Sequence, residues 1–299
     1  HAHKEGTPTM GGILIWGTLF IFILIFYYLS LIFPNSILAH LNFLSQKETL
    51  LPLGALIAAA LIGLLDDWLD VSGKGVFGGG GLRMKHRLLI YALIALIGAL
   101  WFYLKLDWTL IHVPFIGYLQ IGWWYIPVFI FIIVATSFSV NETDGLDGLA
   151  GGTLLVSYAS YGVISFVMGR YDLATFCAVI VGALLAFLWF NIPPARFYMG
   201  DTGSMSLGVA LGIIALLTNN VLLLPFIGFV FLVESLSVII QISSRKFRGK
   251  KVFKSATIHH HFQACGWPEF KIVMRFWLIA AVAAAIGLII FLLDKSFSF

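Results

Sequence analysis

The residues that could do chemistry in this chain are carboxylates in three short motifs. These are Asp66-Asp67-Trp68-Leu69-Asp70, the stretch Asn141-Glu142-Thr143-Asp144-Gly145-Leu146-Asp147-Gly148, and Met199-Gly200-Asp201-Thr202-Gly203. Each lies at the end of a long apolar run. A carboxylate held near lipid costs several kcal/mol unless something compensates it. Three such clusters gathered at one face of a membrane suit a hard cation and a phosphorylated ligand. Asp66 and Asp67 can meet Asp70 across one helical turn. Crowded acids repel unless a cation intervenes, so this motif reads as Mg²⁺ with a phosphate, as a general base, or as an ordinary solvated helix end.

The other motifs carry the same two kinds of reading. Asp144 and Asp147 sit among Gly145, Gly148, Gly151 and Gly152. Glycine lets a backbone approach a ligand closely, and a helix start can hold an anion. The plain alternative is a turn capped by Asp. Asp201 follows the stiff loop Asn191-Ile192-Pro193-Pro194, either as a helix cap or as a further Mg²⁺ ligand. Tyr198 in that loop could stack on a base. His259, His260 and His261 match no standard zinc spacing with Cys265. Contact with phosphate or proton transfer suits them better. Glu234 stands inside an apolar run, where a functional carboxylate and a hydrogen-bonded packing residue look alike.

The elements that must hold these residues are helices. The chain is 60% hydrophobic and 11% charged over 299 residues, with a mean hydropathy of +0.99. A soluble domain is about 25% charged. Nine apolar runs are long enough to read as spans: 11–33, 51–65, 88–104, 124–141, 149–169, 174–191, 204–219, 222–243 and 272–293. They are too long and uniform for a membrane barrel. The expected fold is an all-α polytopic membrane helix bundle of one domain, 1–299, with a small hairpin in the loop 105–123. With the start inside, 14 of the 18 Lys and Arg fall on one side. The positive-inside rule makes that side, with the acids and histidines, cytoplasmic. Cys177 and Cys265 read as reduced thiols.

Taken in order, these motifs resemble the polyprenyl-phosphate N-acetylhexosamine-1-phosphate transferase superfamily, and within it the group that transfers phospho-MurNAc-pentapeptide. The matching segments are Lys4 to Gly12, Leu65-Asp66-Asp67, Asn141 to Ala150, Met199 to Ser204, and His259 to Phe262 followed by Gly266-Trp267-Pro268. The triple histidine points to that group. The superfamily's ten helices with outside termini fit nine spans here if the first helix is lacking. Four features depart from the pattern: Glu142 where Leu is usual, Tyr198 where Phe is usual, the run Gly78 to Gly81, and lysines assignable only as Lys74 and Lys85.

The resemblance implies a Mg²⁺-dependent transferase in the bacterial inner membrane. It would move phospho-MurNAc-pentapeptide from UDP-MurNAc-pentapeptide to undecaprenyl phosphate, giving lipid I and UMP in peptidoglycan synthesis. Asp201 would bind the metal with Asp66 or Asp67, and these three with His259, His260 and His261 form the catalytic set. Substrate contacts fall to Lys4, Thr9, Asp70, Lys74, Lys85, Asn141, Asp144, Asp147, Asn191 and Tyr198. No nucleic acid is expected as a partner, and a homodimer is an expectation from the family alone. A UDP-GlcNAc transferase and a lipid flippase are the competing readings. The one-sided acids and the absence of an internal repeat weigh against transport.

Overall fold

The computed structural model describes residues 6–36, 42, 50–73 and 81–297. Lys4, Lys74 and most of the glycine run lie outside the described residues. Eleven helices and one hairpin follow in order: α1 (Gly12–Ile32), α2 (Leu50–Val71), α3 (Met84–Lys105), β1 (Leu110–Val113), β2 (Gly117–Gln120), α4 (Tyr125–Thr143), α5 (Leu149–Val167), α6 (Tyr171–Asn191), α7 (Asp201–Leu217), α8 (Leu224–Ile227), α9 (Phe229–Arg248), α10 (Ile258–Ala264) and α11 (Glu269–Phe297). The fold is an all-α polytopic membrane bundle, as the composition requires. Only helices, among open structures, satisfy every backbone group inside lipid.

Each of the nine apolar runs falls on a helix, but their lengths differ from the sequence reading. Seven described helices are long and apolar enough to cross a membrane, and an eighth arises if the bent pair α8 and α9 is one span. The pair turns by 84° at its break. Gly228 stands at that break, between the end of α8 and the start of α9. At 17 residues, α7 is shorter than each of those seven. In contrast, α2 does not stop at residue 65. It runs to Val71 and carries the acidic motif on its last turns.

The short helix α7 is the centre of the bundle. Every residue from Thr202 to Leu217 is buried, and its main neighbours are α2 and α4. Lipid tails are as apolar as leucine, so burial alone does not draw helices together in a membrane. Small side chains do, by letting backbones close in. A Cβ on Gly208 would lie 2.6 Å from Ser137 Cα of α4. The Tyr158 hydroxyl donates to the Leu207 carbonyl at 2.6 Å, and Ser137 Oγ donates to the Met205 carbonyl at 3.1 Å. These contacts set the depth of α7, and with it the position of Asp201.

The expected hairpin forms at the opposite end from the acids, with Leu110 paired to Gln120 and Val113 to Gly117. Substituting Gly208 with Leu should drive α4 from α7 and cost about 2 kcal/mol. The thermal midpoint in detergent measures it. Gly54→Leu, where a Cβ meets nothing within 4 Å, should leave that midpoint unchanged.

Candidate active site

The end of α2, the start of α3, the end of α4 and the start of α7 converge at one end of the bundle. Chain polarity brings them together, because successive helices alternate in direction. The first functional contact is a helix cap. The α7 N-terminus has no capping side chain of its own, and its first N–H groups have no intrahelical acceptor. Asp67 supplies one from α2. Its Oδ1 accepts the Asp201 N–H at 2.9 Å and its Oδ2 accepts the Thr202 N–H at 3.0 Å. A negative charge there is also favoured by the helix dipole. Gly200 reaches this junction at φ +73°, where a side chain would strain the backbone and collide with Asp67 Oδ2.

The cap fixes Asp201 against Asp66. The Arg87 guanidinium of α3 joins the two: its Nε contacts Asp66 Oδ2, and its Nη2 lies 2.6 Å from Asp201 Oδ2. The Leu82 N–H also donates to Asp66. Asn141 Nδ2, at the end of α4, donates to Asp201 Oδ1 at 2.5 Å and to Ser204 Oγ at 3.0 Å. The Asp66 side chain is 4% exposed, whereas Asp201 at 17% and Arg87 at 22% are open to a ligand. Three carboxylates therefore face one guanidinium in a half-buried space. That excess of negative charge attracts a cation.

The N-terminal segment closes the site from another side. The Tyr198 N–H donates to the Pro8 carbonyl at 2.9 Å, and the Gly11 N–H donates to the Tyr198 carbonyl at 2.8 Å. This places Thr9 beside Gly200 and Asp67. Asp70 and Lys85 are exposed, and among the described residues neither joins the acid cluster. Asp70 thus does not meet Asp66 and Asp67 across the turn, because those two face inward while it faces out.

The second acidic motif forms a turn between α4 and α5, next to the first site through Asn141. Asp147 Oδ2 accepts the Ala195 N–H at 3.0 Å, and the Asp147 N–H donates to Glu269 Oε1 at 2.9 Å. Asn191 Oδ1 accepts the Gly148 N–H at 2.9 Å, while its Nδ2 donates to the Phe197 carbonyl at 2.9 Å. Asn191 is 3% exposed, so its amide ties two loops together. Asp144 lies half-buried at the rim of this turn.

The three histidines do not share one environment. They stand on α10, a two-turn helix, where neighbours point in different directions. His259 is 0% exposed. His260 and His261 are half-buried; His260 Nδ1 lies 2.7 Å from Gln263 Oε1, and His261 Nδ1 accepts the Lys254 N–H at 3.1 Å. Sequence reasoning missed Arg87, which looked like one more surface cation in a basic run. It also missed Gln241, whose Oε1 accepts the Val252 and Phe253 N–H groups at 3.0 Å and so shapes the loop before α10.

The donor set fits a divalent metal of the hard kind. Among the described residues, no three His, Cys, Asp or Glu side chains are grouped so as to hold a metal ion by themselves. Two carboxylates, Asp66 and Asp201, already share one positive charge. Mg²⁺ is held in that manner, by one or two carboxylates with phosphate oxygens and water completing the shell.

A model of glycosyl transferase family 4 matches residues 49–219, and the first signature of phospho-N-acetylmuramoyl-pentapeptide-transferases matches residues 4–15. The phospho-N-acetylmuramoyl-pentapeptide-transferase of Chloroflexus aggregans is 40% identical over 301 residues, covering 96% of this chain and 78% of its own. That of a Geobacillus species, strain WCH70, is 38% identical over 97% of this chain and 85% of its own. That of Rickettsia bellii is 39% identical over 96% and 80%. With this identity over nearly its whole length, the chain belongs to the phospho-N-acetylmuramoyl-pentapeptide-transferase family.

Proposed function

We propose that the cluster of Asp66, Asp67, Arg87, Asn141 and Asp201 is where this chain performs its family's reaction. The enzyme is a membrane transferase of peptidoglycan synthesis that forms lipid I. Its donor is UDP-MurNAc-pentapeptide and its acceptor is undecaprenyl phosphate. One observation carries the reading: Asp66 and Asp201, 135 positions apart in the chain, are joined by a single guanidinium at one end of the bundle.

The chemistry explains that arrangement. An oxygen of the lipid phosphate attacks the sugar-linked phosphorus of the donor. The bond from that phosphorus to the bridging oxygen breaks, and UMP leaves with the electron pair. The nucleophile is already anionic at neutral pH, so gathering negative charge is the main obstacle. Mg²⁺, when bound, would supply positive charge against the gathered phosphates. Asp201 and Asp66 would hold it. Arg87 adds a fixed positive charge that can pair with a phosphate in two-pronged fashion. Asn141 orients Asp201. Asp67 keeps the α7 N-terminus in place and meets the lipid phosphate.

The remaining residues take supporting roles. Asp144, Asp147, Asn191 and Tyr198 shape the nucleotide side of the pocket, with Thr9, Asp70 and Lys85 at its rim; Lys4 and Lys74 extend that set. His260 and His261 meet the donor's phosphate or sugar-peptide part, while the buried His259 acts from behind them. The Lys and Arg bias supports an inner-membrane protein with this site toward the cytoplasm. The chain acts as a single domain.

The protein in detergent, given radiolabelled UDP-MurNAc-pentapeptide, undecaprenyl phosphate and Mg²⁺, should make a lipid-linked product and UMP. UDP-GlcNAc should give none, and transfer from it instead would refute the donor assignment. Asp201→Asn should cut UMP release at least about a hundredfold with an unchanged thermal midpoint; near-normal release would overturn the metal role. Asp67→Ala should lower the midpoint as well, since it uncaps α7 at a cost of about 1–2 kcal/mol.

A further inference from the structure

Glu234 is 0% exposed on α9, and the reaction as described does not use it. Its Oε2 accepts the Ile258 N–H at 3.0 Å and lies 3.1 Å from His259 Nδ1. Among the described residues, its Oε1 has no hydrogen-bond donor. A carboxylate half-satisfied in a membrane bundle is costly, and such residues are retained for what they hold. His259 is equally buried, with Thr257 Oγ1 2.9 Å from its ring nitrogens. The far edge of the ring, Nε2, rests on Gly145, where a Cβ would collide with it. Gly145 stands between Asp144 and Asp147. Glu234, His259 and that turn thus form a continuous stack, from the membrane interior to the second acidic motif.

We propose that Glu234 is a positioning residue. It accepts the Nδ1 proton of His259, sets the imidazole against Gly145, and so fixes the turn that carries Asp144 and Asp147. The Ile258 N–H on the same oxygen clamps the start of α10, which keeps the ring from pivoting. A hydrogen-bond acceptor is what the role requires. Glutamine satisfies it and alanine does not.

This inference rests on the nucleotide-side reading of the turn given above. The test measures KM for each substrate and kcat, with the thermal midpoint, in the full protein in detergent. Glu234→Ala should raise the KM for UDP-MurNAc-pentapeptide about tenfold and leave the KM for undecaprenyl phosphate unchanged. Glu234→Gln should return the donor KM to within about threefold of the parent protein. His259→Asn, whose amide nitrogen stands in for Nδ1 but which lacks the ring edge that rests on Gly145, serves if Glu234→Ala does not fold, and should resemble Glu234→Ala. An unchanged donor KM, equal changes for both substrates, or a Gln variant as impaired as the Ala variant overturns the proposal. If the parent protein makes no lipid-linked product, the functional reading fails instead.

Discussion

The site depends on one hydrogen-bonded junction, the capping of α7 by Asp67. A helix that begins inside a bundle brings bare N–H groups with it, and they need acceptors. Here the acceptor comes from another helix, through both oxygens of one carboxylate. The junction works in two directions. It removes a desolvation cost from α7, and it registers α2 against α7 so that Asp66 and Asp201 face the same guanidinium. Had α7 carried its own serine or threonine cap, this link between α2 and the α7 N-terminus would be lost.

The packing of α7 serves the same end. Its small residues admit α4 closely enough for Asn141 to reach Asp201, so the depth of a buried helix becomes the position of a carboxylate. The electrostatics follow from the geometry. Asp66 is shielded and paired, while Asp201 and Arg87 remain open. The charges of this cluster are preorganised, because they are held by backbone and helix contacts rather than by flexible surface chains.

The second motif shows a different use of polar groups. Most of its donors and acceptors hold the loops themselves: Asp147 bonds to Ala195 and Glu269, and Asn191 bonds to Gly148 and Phe197. The triple histidine is likewise divided, with one ring built into the wall and two nearer the surface. Rigid loops at a binding face lower the cost of ordering them when a ligand arrives.

Much was legible in the sequence, for stated reasons. Long apolar runs are compatible with helices alone in a membrane, so the fold class and the approximate helices follow from composition. The acids stood out because lipid makes carboxylates rare, and their order matched one family. What only the tertiary structure decided was partnership. Sequence spacing grouped Asp66, Asp67 and Asp70 as one set, yet Asp67 serves α7, Asp66 serves Arg87 and Asp70 faces outward. Arg87 carried no local signal, since a cation in a basic run has a bland explanation, while Glu234 stood out in an apolar run but left function and packing undecided. A side chain's role is set by what lies across from it, and contacts between helices far apart in the chain leave no trace in local spacing.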